Sequence, residues 1–217
     1  MKIGIVVAMD KELRQLRQVF EGSSVMVEKC GIGKVNAALG VQRMIHDYRP
    51  DCIISSGCAG GNGEGIQVKD VVVSTELAYH DVYCGTAIDN TTQYGQVQGL
   101  PARFKADETL LAKAISLQQA SGIASKIVPG LIVTGDWFVD SKEKMRSIIE
   151  KFPDARAVDM ESAAIAHTCY LHKVPFISFR VVSDMPLCDT DASQYHDFWS
   201  QVAAQSFQLT RTFVESL

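Results

Sequence analysis

MKIGIVVAMDKELRQLRQVF, residues 1–20, sets the reading of the whole chain. Residues 2–7 form an apolar run with Ile3, Ile5, Val6 and Val7, the composition of a strand buried on both faces. Leu13, Leu16, Val19 and Phe20 then recur at helical spacing and make one apolar stripe. Between the two lie Met9, Asp10 and Glu12, which puts Glu12 one turn past the end of the strand. A buried strand followed at once by an amphipathic helix is the unit of a sheet covered by helices.

The same alternation continues outward. Strands are read at residues 25–28, 52–56, 71–74, 127–133 and 175–182, each carrying β-branched or aromatic residues between turn signals. Helical stripes are read through Val35, Ala38, Leu39, Met44 and Ile45, and through Leu110, Leu111, Ala114, Ile115 and Leu117. Met145, Ile148 and Ile149 mark another, followed by helices over 165–171 and 202–214. The pattern predicts one domain over 1–217 with an α/β fold: three layers, α/β/α, around a mixed, mainly parallel central sheet. Residues 78–105 form the long irregular stretch, and 183–195 a second, aspartate-rich loop. Both are expected outside strand ends, where open α/β sheets place their ligands.

Composition narrows the partners. The 217 residues are 47% hydrophobic and 21% charged, enough apolar side chain for one core. Lysine plus arginine number 21 against 25 acids, a net charge of −4, which gives no counterion-release advantage on a polyphosphate. Nucleic acid is set aside as a partner, and a small molecule is expected. The apolar runs are of strand length, far below the roughly 20 residues a bilayer requires, so no membrane partner is expected either. Cys30, Cys52, Cys58, Cys84, Cys169 and Cys188 show no CxxC pair and no histidines at zinc spacing. They read as reduced thiols of a cytoplasmic protein, with no metal site. His46, His167 and His172 read as surface or packing residues, and Trp199 as packing or interface.

Glycine clusters point to close backbone approach without saying to what. Gly31-Ile32-Gly33-Lys34 opens a helix after a strand, but Asn36 breaks the dinucleotide spacing and Val35 breaks the Walker pattern. Gly57, Gly60, Gly61, Gly63 and Gly65 follow a strand and lead into another strand, so no helix N-terminus faces a phosphate there. The acids are more informative. Glu12, Glu161 and Asp184 each follow a different strand. Singly, an acid at a helix start is explained by the helix dipole, worth about 0.3–1 kcal/mol. Together, at the carboxyl ends of three strands, they form a constellation that the topology converges.

These residues lie within stretches that match a known family. MKIGIVVAMDKEL, CGIGKVNAALG, SSGCAGG, YHDVYCG with YGQVQGLPARFKAD, VTGDWFV, AVDMESAAIAH and VPFISFRVVSD occur in that order over nearly the whole chain. The sequence resembles the 5′-methylthioadenosine/S-adenosylhomocysteine nucleosidases of the purine nucleoside phosphorylase-like superfamily. The resemblance implies a nucleoside phosphorylase-like fold, a homodimer, a purine nucleoside as partner, and no cofactor or metal. It implies hydrolysis of the N-glycosidic bond to adenine and the thio-ribose, with Glu12 as base for the attacking water. Asp184 would protonate the five-membered ring of adenine, with Ser183 beside it, and Glu161 with the backbone of Met160 would hold the ribose hydroxyls. Phe138 would stack on adenine and the backbone at Val139 would read its edge. Met9 and Ile32 would line the sugar and 5′-thio side, and Arg180 and Cys58 would lie near the water.

The chemistry suits those residue types. Glycosidic cleavage passes through an oxocarbenium-like transition state, which nearby carboxylates favour. Phosphorolysis needs a dianion where Glu12 projects, and a carboxylate repels it. The other readings are a nucleosidase or phosphorylase for another purine nucleoside, of adenosine or futalosine type, and a nucleoside-binding homologue with weak turnover. Against the family pattern the 21–29 connector is short, the 82–98 loop is longer, Cys58 replaces a serine and Asp159 replaces a glutamate.

Overall fold

The computed structural model describes residues 1–85, 91–119, 125–188, 193–201 and 207–217, with the backbone alone at 200 and 201. The first strand, β1 (Ile3–Val7), is buried along its length and runs straight into α1 (Asp10–Val19). The edge strand β2 (Met26–Lys29) then pairs in parallel with β1 over Gly4–Val7, so the short connector still delivers an edge strand. Helix α2 (Lys34–Tyr48) starts at Gly33, whose φ of 90° suits glycine, and stops at Arg49 just before Pro50.

β3 (Cys52–Gly61), β4 (Val71–Tyr79), β6 (Ile127–Thr134) and β8 (Phe176–Asp184) build the middle of the sheet. Three of these overrun the sequence reading. β3 continues through the glycine cluster to Gly61, β4 runs to Tyr79, and β8 carries on to Asp184. Two strands were not read from the sequence at all: β5 (Phe104–Lys105) and β7 (Ala155–Asp159). α3 (Glu108–Ser116) and α4 (Lys142–Lys151) begin at side-chain caps, Asp107 and Ser141, where predicted stripes begin. α5 (Ser162–His172) is buried on nearly all sides, and its small residues let it press on the sheet. α6 (Ser193–Gln201) occupies the end of what reads as a loop over 183–195, whose residues 189–192 lie outside the described ones. The helix read over 202–214 is α7 (Gln208–Glu215), with 202–206 outside the described residues. Residues 86–90 of the long irregular stretch lie outside them too.

Helices cover both faces of the sheet. On one face Leu16 of α1, Leu110 of α3 and Phe213 of α7 pack with Ile54 and Phe179, the two phenylalanine rings 4.8 Å apart. On the other, Val41 and Met44 of α2 and Ala163 and Ile165 of α5 pack on Ile53 and Ile132. α4 adds Met145 and Ile148 against Leu131 and Val133. The pairings are mixed. β1–β2, β1–β3, β3–β8, β4–β6 and β6–β7 are parallel, while β3–β7, β4–β5 and β4–β8 are antiparallel.

The sheet also closes on itself, which the open-sheet expectation did not include. Pairing runs β3–β8–β4–β6–β7 and returns to β3 through Gly60 opposite Val158 and Gly61 opposite Ala157. The register slips at Ala59/Gly60, so β3 turns from β8 toward β7 there. Two glycines are needed at this seam. A Cβ on Gly60 would lie 2.9 Å from Pro186, and one on Gly61 would lie 2.7 Å from both Met185 and Val182. Gly61→Ala is therefore expected to cost roughly 1–3 kcal/mol, the cost of overpacking. A urea midpoint lowered with an unchanged slope checks it; an unchanged midpoint would mean the seam has slack.

Candidate active site

The carboxyl ends of β1, β3, β6, β7 and β8 meet around one cleft lined by apolar side chains and a few converging polar groups, the make-up of a small-molecule site. Met9, Glu12, Ile32, Cys58, Phe138, Val139, Met160, Glu161, Ser183 and Asp184 all line it, residues drawn from six segments of the chain. Of the residues read from the sequence, Arg180 alone is not on the wall; it lies buried behind it.

Glu12 sits in the first turn of α1 and folds back over the β1–α1 junction. Its Oε2 accepts the N–H groups of Ala8 and Met9, both at 2.9 Å. Its Oε1 accepts the Cys58 N–H at 3.2 Å and faces the Cys58 thiol at 3.7 Å. The first-turn position by itself favours ionisation. Burial acts the other way and wins: it pushes the Glu12 carboxyl above its usual range, against the Arg180 charge and the three N–H groups. Gly57 makes this arrangement possible, since a Cβ there would stand 2.8 Å from Glu12 Oε1 and 3.3 Å from Arg180 Nη1.

Arg180 is fully engaged. Nε donates to Asp159 Oδ2 at 2.6 Å, Nη2 to Ser55 Oγ at 2.8 Å and Nη1 to the Phe179 carbonyl at 3.3 Å. Asp159 also accepts from Thr134 Oγ1 at 2.5 Å and from the Ser162 N–H at 3.2 Å. Its shorter side chain thus serves to hold Arg180 and the start of α5. Glu161, at the N-terminal boundary of α5, accepts the Gly33 N–H at 3.0 Å. Burial and the neighbouring Asp159 charge push its carboxyl up to about 8. Asp184 ends β8, is buried, and accepts a hydrogen bond of 2.6 Å from Ser183 Oγ.

The loop after β6 supplies an aromatic wall. Phe138 is exposed along the cleft and meets the edge of Tyr195, ring centroids 5.3 Å apart. Tyr195, on α6, lines the cleft and brings its hydroxyl to 3.8 Å from Met9 Sδ. Sequence reading missed it because it stands at the end of a polar stretch; the aromatic repeat Tyr195, Phe198, Trp199 was the available signal. Trp137 also lines the cleft and packs edge-on against His80, 5.3 Å away. His80 is buried with both ring nitrogens unpartnered among the described residues, and burial lowers its pKa, which keeps it neutral. Among the described residues no three His, Cys, Asp or Glu side chains are grouped to hold a metal.

Comparisons with known proteins place relatives along the whole chain. The Phosphorylase superfamily model matches residues 2–215. The 5′-methylthioadenosine/S-adenosylhomocysteine nucleosidase of Bacillus thuringiensis subsp. konkukian (strain 97-27) is 37% identical, with 100% of both chains covered. The corresponding Bacillus cereus (strain B4264) protein is 36% identical over the same full coverage. Among solved structures, the Neisseria meningitidis nucleosidase in complex with methylthio-immucillin-A superposes with a TM-score of 0.90 at 36% identity, covering 100% of this chain and 99% of that one. The Colwellia psychrerythraea nucleosidase in complex with adenine gives 0.90 at 33% identity, covering 100% and 96%. Matched in sequence over its full length and in fold throughout, the chain belongs to the phosphorylase superfamily and, within it, to the 5′-methylthioadenosine/S-adenosylhomocysteine nucleosidases.

Proposed function

We propose that this protein hydrolyses the N-glycosidic bond of 5′-methylthioadenosine and S-adenosylhomocysteine, releasing adenine and the thio-ribose. The observation that carries this reading is one cleft with Glu12, Glu161 and Asp184 on its walls beside the aromatic ring of Phe138. Phe138 stacks on adenine, and the backbone at Val139 reads its edge. Glu161 and the Met160 backbone hold the ribose hydroxyls, with Ile32 and Met9 along the sugar and the 5′-thio group. Ser183 orients the Asp184 carboxyl through their 2.6 Å hydrogen bond.

In the reaction Asp184 gives its proton to the five-membered ring of adenine as the glycosidic electrons move onto the base. Positive charge grows on the ribose and is favoured by the ionised Glu12 carboxylate beside it. Water adds to the anomeric carbon while Glu12 takes its proton. The raised Glu12 carboxyl suits a base, because a conjugate acid nearer neutrality drives that transfer further. Cys58 and the charge of Arg180 lie on the Glu12 side, from which the water attacks. Phosphate is disfavoured as the nucleophile: the carboxylate of Glu12 occupies that side, and the one nearby guanidinium is already committed to Asp159 and Ser55.

The protein works as a homodimer in this reading. Val35, Leu39 and Leu171 are exposed large apolar residues on α2 and α5, and a groove runs between those helices beside Val82 and Val97. A second copy is the occupant that suits such a face. The six free thiols fit a reducing cytoplasm, and the products fit methionine salvage.

The test is adenine release from 5′-methylthioadenosine, S-adenosylhomocysteine and adenosine, each with and without phosphate. Release from the thio substrates without phosphate is expected; strict phosphate dependence would make the protein a phosphorylase. Asp184→Asn is expected to lose roughly 10²–10⁴-fold in turnover with an unchanged unfolding midpoint. Unchanged turnover would remove Asp184 from the mechanism. The pH profile gives a further check. Glu12 must be ionised to act, so kcat/KM is expected to rise with pH through a midpoint above the usual 4.5 of a glutamate. A midpoint at or below that value would contradict Glu12 as the titrating base.

A further inference from the structure

Helix α2 begins in an unusual way. Its first residue is a lysine and its first turn has no acid of its own. A cation at the positive end of a helix is unfavourable. Here three carboxylates from three other segments are brought to that end instead. Glu161 takes the Gly33 N–H at 3.0 Å and Asp136 takes the Lys34 N–H at 2.8 Å. Asp81 holds the Lys34 ammonium with both oxygens at 2.7 Å and also accepts the Asp136 N–H at 2.8 Å. Lys34, Asp81 and Asp136 thereby form a closed triangle, in which each residue is bonded to the other two.

The triangle joins the two halves of the cleft. Gly33, next to Lys34, donates to the carboxylate assigned to the ribose. Asp136 lies two residues before Phe138, assigned to the base. Gly33 is locked against Asp136 by shape as well, because a Cβ on it would lie 2.9 Å from Asp136 Oδ1. The Asp81 side chain is mostly buried, which raises the worth of its bond to the ammonium above that of an open surface pair.

We propose that Lys34, Asp81 and Asp136 are positioning residues: they set the Gly33 N–H on Glu161, and so fix the ribose-holding carboxylate relative to the base-stacking loop. The inference rests on the hydrolytic reading for the roles of Glu161 and Phe138. Since the ribose hydroxyls are held in the ground state and the transition state alike, loosening Glu161 raises KM more than it lowers kcat.

Asp136→Ala removes the acceptor for the Lys34 N–H, whereas Asp136→Asn keeps one in the same place. The Asp136 side chain is 48% exposed, so neither change disturbs the core. With 5′-methylthioadenosine, Asp136→Ala is expected to raise KM about tenfold and to keep kcat within about threefold, the scale of one weakened charge-assisted hydrogen bond. Asp136→Asn is expected to restore most of the loss, and Lys34→Met to resemble Asp136→Ala. An unchanged KM in both Asp136→Ala and Lys34→Met, or equal defects in the alanine and asparagine variants, would overturn the inference. If the wild-type protein itself released no adenine, the hydrolytic reading would fail. The triangle would then be judged by calorimetric binding of the same nucleoside, and an unchanged Kd in Asp136→Ala would overturn it.

Discussion

The buried ion pair of Arg180 with Asp159 is the interaction on which the site depends. It ties β8 to β7 directly beneath the cleft, at 2.6 Å and with both side chains almost wholly removed from water. One guanidinium there faces Glu12, Asp159 and Glu161 together. That single cation does not offset the burial of the two glutamates. Asp159 has the direct contacts, and both Glu12 and Glu161 are pushed upward. A pair of this kind is weak support for stability in itself. Its value here is electrostatic: the guanidinium opposes the upward push that burial gives the two glutamates.

Much of this was legible in the amino-acid sequence, and the exceptions share a cause. Long runs rich in β-branched residues announced β1, β4, β6 and β8, and stripes announced the helices that cap with Asp107 and Ser141. β7 escaped because Ala155-Arg156-Ala157-Val158-Asp159 contains one β-branched residue in five positions. Gly60 and Gly61 read as a turn, yet they are paired strand. What places them in a strand is a partner far along the chain, and no local pattern encodes it. The site follows the same rule. The acids were found because each stands just past a strand or at a helix start, while the Asp159–Arg180 bond and Tyr195 depend on which distant segments meet.

The glycine turn before α2 shows how a correct local reading stays incomplete. Gly31 and Gly33 have positive φ, as a tight turn requires, and backbone does come close to something there. The occupants of the helix N-terminus are not phosphate oxygens. They are the protein's own carboxylates, Glu161 and Asp136, which use the anion-attracting N–H groups to become fixed points of the pocket. Cys58 has a comparable double function, since its N–H is the firm donor to Glu12 and its thiol the weak one. Replacing a serine by cysteine there preserves the backbone contact and softens the other.

The seam between β3 and β7 also ties the pocket to the closure of the sheet. Its two residue pairs, Gly60 with Val158 and Gly61 with Ala157, bring no large side chain of their own to hold it. Val158 and Gly60 both face the cleft, so a chain with the seam open has no complete pocket. Nucleoside can therefore be captured only by the fully closed form. Bound nucleoside then acts as a thermodynamic latch on the seam, drawing the population toward closure by mass action.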